Sequence, residues 1–223
     1  MSSKKKEQVL VTANTADIHY STGDYFHMLI DGSDGWKDEV IKGSAFIDRW
    51  MAELDSTVLQ LIPYVACVTK GGKVLSYQRK GGGEGRLEGK YSIGIGGHVN
   101  TTDLPTGPDR KPTWDTVFEG AVREVVEELE ISEQHVRDNL REVGTVYIPS
   151  DDGGDHVGPG PNVGEVHIGI VYVLLVDEDV TIKDDEGMIN PEFVDINVAT
   201  AQYETWSQKT LGSLEAILEH VQP

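Results

Sequence analysis

"VFEGAVREVVEELEI", residues 117–131, sets five glutamates around one arginine in a single helical-looking stretch. At 3.6 residues per turn, Val122, Val125, Val126 and Leu129 point one way. Glu124, Glu127 and Glu128 fall on neighbouring turns of another face, where like charges repel. Three carboxylates on a rigid element can supply the hard oxygen ligands that Mg2+ or Mn2+ prefers. Arg123, four residues before Glu127, can pair with it and hold it in orientation. The other reading is the solvated face of an acidic protein. From the helix alone the two are evenly balanced.

Working outward, Thr113 is placed to cap a helix over about 114–129, with Trp114, Val117, Phe118, Ala121, Val122, Val125 and Leu129 as its apolar stripe. Before it lie a polar insertion, "TTDLPTGPDRKP", and a glycine-rich run, "GGGEGRLEGKYSIGIGGHVN". Gly94, Gly96 and Gly97 weaken a strand unless the backbone must bend or approach something closely. A glycine loop facing a carboxylate helix would make a compact metal and phosphate pocket, whereas a bulge or turn is the plainer account. Upstream, "IPYVACVTK" and "KVLSYQRK", separated by Gly71-Gly72, predict a β-hairpin. "EQVLVTA" reads as a strand, and "SAFIDRWMAEL" reads as a helix with Phe46, Trp50 and Leu54 facing the core. Downstream, a short helix is expected after Ser132, strands at "EVGTVYIP" and "EVHIGIVYVLLVD", and an amphipathic helix over about 200–221. Strands with helices before, between and after them predict a mixed α/β layered fold.

Nineteen basic against 38 acidic residues leave a formal charge of −19, which repels a nucleic-acid backbone, and no basic stripe offsets it. A hydrophobic share of 38% suffices for a packed core. No segment is apolar enough to span a membrane, and "MSSKKKEQ" reads as a basic tail rather than a secretory signal. One cysteine, Cys67, excludes an internal disulfide and a thiolate zinc cluster, which fits a cytoplasmic location.

A glycine loop followed by a helix with Arg-Glu-x-x-Glu-Glu resembles the Nudix box, G-x5-E-x7-R-E-U-x-E-E-x-G-U with U aliphatic. "REVVEELEI", residues 123–131, matches its second half except that Glu130 stands where the box has glycine. Asp115, eight residues before Arg123, is taken as the first box carboxylate, and Gly97 as the box glycine displaced by an insertion. "GEGRLEGKYSIGIGGHVN" and "GEVHIGIVYVLLVD" also look like a bacterial and phage Nudix subgroup with an N-terminal extension. The resemblance covers about residues 60–180. It implies an α/β/α sandwich with a mixed sheet, divided into an N-terminal extension, residues 1–58, packed on a Nudix domain, residues 59–223, with a C-terminal helix.

The resemblance further implies metal-dependent hydrolysis of a pyrophosphate linkage in a nucleoside diphosphate derivative or related phosphoanhydride. Glu124, Glu127, Glu128 and the Gly97 carbonyl would hold Mg2+ (or Mn2+), with Arg123 orienting Glu127. The general base would be Glu127 or Glu128, or Asp152, Asp155 or Glu165 in or beside the later loop. For substrate contacts the candidates are Arg79, Arg86, His98 and Glu165, with Tyr77 and Trp114 as aromatic surfaces. The plainer readings are solvated arginines, a hydrogen-bonded loop histidine and core aromatics; His167 reads as a satisfied sheet histidine, and Cys67 as buried and inert. Isopentenyl diphosphate isomerase shares the fold but needs a positioned cysteine. A non-catalytic nucleotide-sensing domain is the other alternative. A small-molecule substrate is the expected partner, with neither nucleic acid nor membrane, and a homodimer is a possible assembly.

Overall fold

The computed structural model describes residues 7–14, 26–28, 35–80, 87–106, 110–149, 160–183, 187–198 and 200–221. The lysine-rich start up to residue 6, Arg86, Asp152 and Asp155 lie outside them.

The chain is organised by two long strands, β4 (Val58–Thr69) and β9 (His167–Val176), that run parallel in register from Gln60↔His167 to Thr69↔Val176. Side chains alternate across a strand, and here the alternation serves two cores. Leu61, Val65, Cys67, Ile168, Ile170 and Leu174 belong to one, and Ala66, Val68, Val171 and Val173 to the other. These strands read as near-continuous apolar runs for that reason.

Around this pair the sheet takes in β5 (Lys73–Arg79), β8 (Leu140–Val146), β2 (Phe26–Met28) and β10 (Met188–Asp195), in the order β10-β5-β4-β9-β8-β2. Every other neighbour on that path is antiparallel, so the sheet is mixed. The turn between β4 and β5 uses Gly72 at φ +77°, a left-handed conformation open to glycine. β1 (Gln8–Ala13) pairs with both β4 and β3 (Ala45–Asp48), while the short β6 (Tyr91–Ser92) and β7 (Gly94–Ile95) pair with β5 and β4.

Helices cover both faces. On one lies α3 (Trp114–Glu128), burying Val117, Ala121, Val122 and Val125, with α4 (Glu133–Asn139) and α1 (Gly35–Lys42) beside it. On the other lies α6 (Thr205–Val221), burying Leu211, Leu214, Ile217 and Leu218. The architecture is the α/β/α sandwich with a mixed sheet expected from the sequence. Thr113 caps α3 reciprocally with Thr116, and Ser132 caps α4 through the His135 amide.

One segment departs from expectation. "SAFIDRWMAEL" is not a single helix: β3 occupies Ala45–Asp48, and only the four-residue α2 (Arg49–Ala52) follows. Phe46 packs against the core, but Trp50 is 50% and Leu54 65% exposed, so the expected stripe does not form. Pairing with β1 from Gln8↔Asp48 to Val11↔Ala45 overrides the local helical spacing. α1 and β10 are additions that the sequence reading did not anticipate.

Candidate active site

A cavity of about 530 Å³ opens where β7, α3, α5 (Val163–Val166) and the start of α6 converge, in the size range of small-molecule sites. Gly97, Glu124 and Glu128 line it, together with His98, His167 and Glu204.

Gly97 and α3 form its most tightly specified part. A Cβ on Gly97 would lie 2.5 Å from Oε1 and 2.8 Å from Oε2 of Glu124, so any side chain there would have to displace the carboxylate that Arg123 holds. Next to it, a Cβ on Gly96 would lie 1.9 Å from the Pro63 carbonyl oxygen. The glycines are there because backbone and carboxylate occupy the space a side chain would need. Gly97→Ala is therefore expected to displace Glu124 and lower turnover by about 100-fold, checked by steady-state kinetics on a protein whose circular dichroism is unchanged.

Arg123 holds the loop and the helix together. Its Nε donates to Asp103 Oδ1 at 2.8 Å and its Nη2 to Asp103 Oδ2 at 3.1 Å and to the His98 carbonyl at 3.0 Å. Its Nη1 reaches Glu124 Oε1 at 2.7 Å and Glu127 Oε2 at 3.2 Å. Burial pushes the Glu124 carboxyl above its ordinary value, and the adjacent guanidinium opposes that shift. Asp103, not Asp115, is thus the carboxylate paired with the box arginine. It stands six residues after Gly97, the separation the box itself prescribes, so the insertion falls after Asp103 rather than before it. That spacing was the available signal.

The three box glutamates divide between two sides of α3. Glu124 and Glu128 face the cavity, whereas Glu127, 57% exposed, lines a separate cleft with Arg123. Glu119 pairs with Arg137 at 2.8 and 2.6 Å, away from the cavity. Glu130 has an account as well. α3 ends at Glu128, Leu129 turns extended at φ −116°, and the Glu130 amide donates to the Thr181 carbonyl at 2.8 Å. A helix that leaves through an extended bridge to Thr181–Ile182 has no left-handed residue at its end, so no glycine is required.

Other expected residues take varied places. Arg79 lines the cavity and pairs with Glu204 at 3.3 Å. Glu165 accepts the Asn162 amide at 2.7 Å as part of the cap of α5. Tyr77 is buried with its hydroxyl donating to the Gly94 carbonyl at 2.6 Å, and Trp114 donates through Nε1 to Glu142 at 2.7 Å. The large aromatics at the cavity are instead Tyr64 and Trp206, edge-on to each other with ring centroids 5.7 Å apart. His167 is both a satisfied sheet histidine, with Nδ1 2.8 Å from the Val163 carbonyl, and a cavity residue.

Glu204 carries no motif that the sequence reading could find. It is 4% exposed and accepts from Tyr64, Ser92 and Ser207 at 3.0, 2.6 and 3.1 Å. It fixes α6 to the hairpin and gives the cavity an acidic floor.

Cys67 is fully buried and burial pushes its thiol up to about 12, which leaves no positioned acid or base for isomerase chemistry at that residue. A disulfide-exchange reagent is expected to leave the native protein unlabelled and to titrate one thiol only in denaturant; fast native labelling would contradict this placement.

The oxygen donors suit a hard divalent cation: two carboxylates on one helix, and a glycine loop whose lack of a side chain leaves Glu124 accessible to it. No helix among the described residues is long and apolar enough to cross a membrane.

No protein-family model matches the chain. Over 175 residues it is 31% identical to Protein YmaB of Bacillus subtilis (strain 168), covering 75% of this chain and 76% of that one. Among solved structures, Tm1382, presented as a candidate Nudix hydrolase, matches with a TM-score of 0.64 at 23% identity, covering 95% of this chain and 99% of that one. A bifunctional NMN adenylyltransferase/ADP ribose pyrophosphatase from Francisella tularensis matches with a TM-score of 0.50 at 12% identity, over 75% of this chain and 44% of that one. At these identities the two structures establish likeness of fold.

Proposed function

The chain belongs to one family with Protein YmaB and shares its fold with Tm1382, and from that premise we propose that it is a Nudix enzyme that hydrolyses a phosphoanhydride bond with the help of a divalent cation. The substrate class is a nucleoside diphosphate derivative or a related pyrophosphate. One observation carries the reading: the Gly97 backbone lies against the Glu124 carboxylate in a cavity that Glu128 also lines.

Glu124, Glu128 and the Gly97 carbonyl would hold Mg2+ or Mn2+. Such a cation, when bound, neutralises polyphosphate charge and lowers the pKa of a water molecule. The chain supplies the rest. Arg123 keeps Glu124 in one rotamer against the loop, so the carboxylate meets its ligand without reorganising. Glu128, which lines the same cavity, would accept the water proton on a carboxylate oxygen. Arg79 on the cavity wall, already paired with Glu204, would take part of the anionic charge of the substrate. Trp206 offers an apolar edge to its organic part.

The test is a screen of nucleotide sugars, dinucleoside polyphosphates, ADP-ribose, NADH and nucleoside triphosphates with Mg2+ or Mn2+. Release of a phosphorylated product from at least one, abolished by chelator, is the expected result. If none is cleaved while one binds tightly, the domain senses a nucleotide instead.

A further inference from the structure

Beside the box helix stands a second group of ligand atoms, none of them from α3. Glu53, His98 and His167 each present one, and all three lie within 4.8 Å of one another. They come from separate places in the chain: the residue that follows α2, the residue after Gly97, and the first residue of β9. Nε2 of His98 and Nε2 of His167 are each 3.9 Å from Oε1 of Glu53. That is too long for a hydrogen bond. It is only modestly wider than the spacing of about 3.3 Å between ligands of a tetrahedral ion with bonds near 2.0 Å, so small side-chain rotations would close the group around one.

The orientation of His167 is a second, independent observation. Its Nδ1 lies 2.8 Å from the Val163 carbonyl, which can only accept, so Nδ1 donates there and Nε2 is the ring nitrogen turned toward Glu53 and His98. A backbone carbonyl behind the imidazole is the arrangement that fixes the tautomer and ring plane of a metal-bound histidine. The backbone of His167 is itself locked opposite Gln60 in the parallel ladder. The two imidazoles are mostly shielded from water, at 10% and 5% side-chain exposure, so coordination would cost them little further desolvation. Arg49 is the competing cation, with Nε 3.5 Å from Glu53 Oε1. It also pairs with Glu7 at 3.0 Å and keeps that partner if an ion takes Glu53.

We infer that Glu53, His98 and His167 form a metal site distinct from the box carboxylates, which takes a borderline divalent cation such as Zn2+. Two imidazoles and one carboxylate suit Zn2+ better than Mg2+, which demands oxygen. Three protein ligands leave coordination open. His98 and His167 both line the cavity, so the open position would face it and take a water or a phosphoryl or carboxylate oxygen.

The test uses Co2+ as a spectroscopic stand-in for Zn2+, titrated into the full chain without substrate, so its result does not depend on hydrolysis. Expected is one equivalent of Co2+ with the visible absorption of a low-coordinate nitrogen–oxygen site, bleached by Zn2+ and not by Mg2+. Glu53→Gln and His98→Gln should each weaken the binding by about 100-fold or more while circular dichroism stays native. Glu124→Gln should keep the band. No band in the wild type, a band that survives both substitutions, or one lost in Glu124→Gln alone would overturn the site.

Discussion

Glu128→Gln is expected to lower kcat/KM by about a thousandfold, or about 4 kcal/mol of transition-state stabilisation, with no loss of fold stability. The chemistry needs the carboxylate, because an amide oxygen neither balances a cation's charge nor accepts a proton near neutral pH. The fold does not need it, because Glu124, Glu127 and Glu128 repel one another along α3 and removing one charge relieves that cost. Activity and stability should therefore part company: a much slower enzyme with an equal or higher melting temperature. Glu119→Gln is the control on the same helix. Its ion pair with Arg137 lies away from the cavity, so turnover should stay within about twofold and stability fall by under about 1 kcal/mol.

Arg123→Ala is expected to give the largest loss of stability, about 3 kcal/mol or more in denaturant unfolding. The reason is what it leaves behind. Asp103 is 3% exposed at its side chain and takes both arms of the guanidinium, and Glu124 is 14% exposed and takes a third bond. Without the arginine, two largely buried carboxylates face each other with no cation between them, and the His98 carbonyl loses its donor. Arg123→Lys should restore only part of the loss, since a single ammonium cannot span both oxygens of Asp103 and still reach Glu124. A loss under 1 kcal/mol for the alanine variant would mean that loop and helix are held together by packing alone.

What could be read from the sequence was what neighbouring residues specify. α3 carries its own cap, stripe and charged face within sixteen residues, from Thr113 to Glu128, and the β4–β5 hairpin carries its own glycine turn. The α/β/α sandwich followed from those elements together with the box. Long-range pairing hid the rest. "SAFIDRWMAEL" has helical spacing, yet β1 captures its first half as β3, and Glu53, in the remainder, comes beside His98 and His167. Asp115 looked right when counted backward from Arg123. Counting forward from Gly97 leads to Asp103, and the structure follows that count because the insertion lies between Asp103 and the helix. Glu204 has no pattern at all, since its partners come from β4, β6 and α6.

The central claim is that Gly97, Glu124 and Glu128 form one cation cradle, and Mn2+ binding followed by the paramagnetic resonance of the free ion tests it most directly. Wild-type protein should take up Mn2+ in competition with Mg2+, and saturation at about 100 times the dissociation constant should add about 2.7 kcal/mol of stability. The double variant Glu124→Gln/Glu128→Gln, folded by circular dichroism, should lose both the uptake and the added stability. Undiminished Mn2+ uptake and stabilisation in that variant would contradict the account.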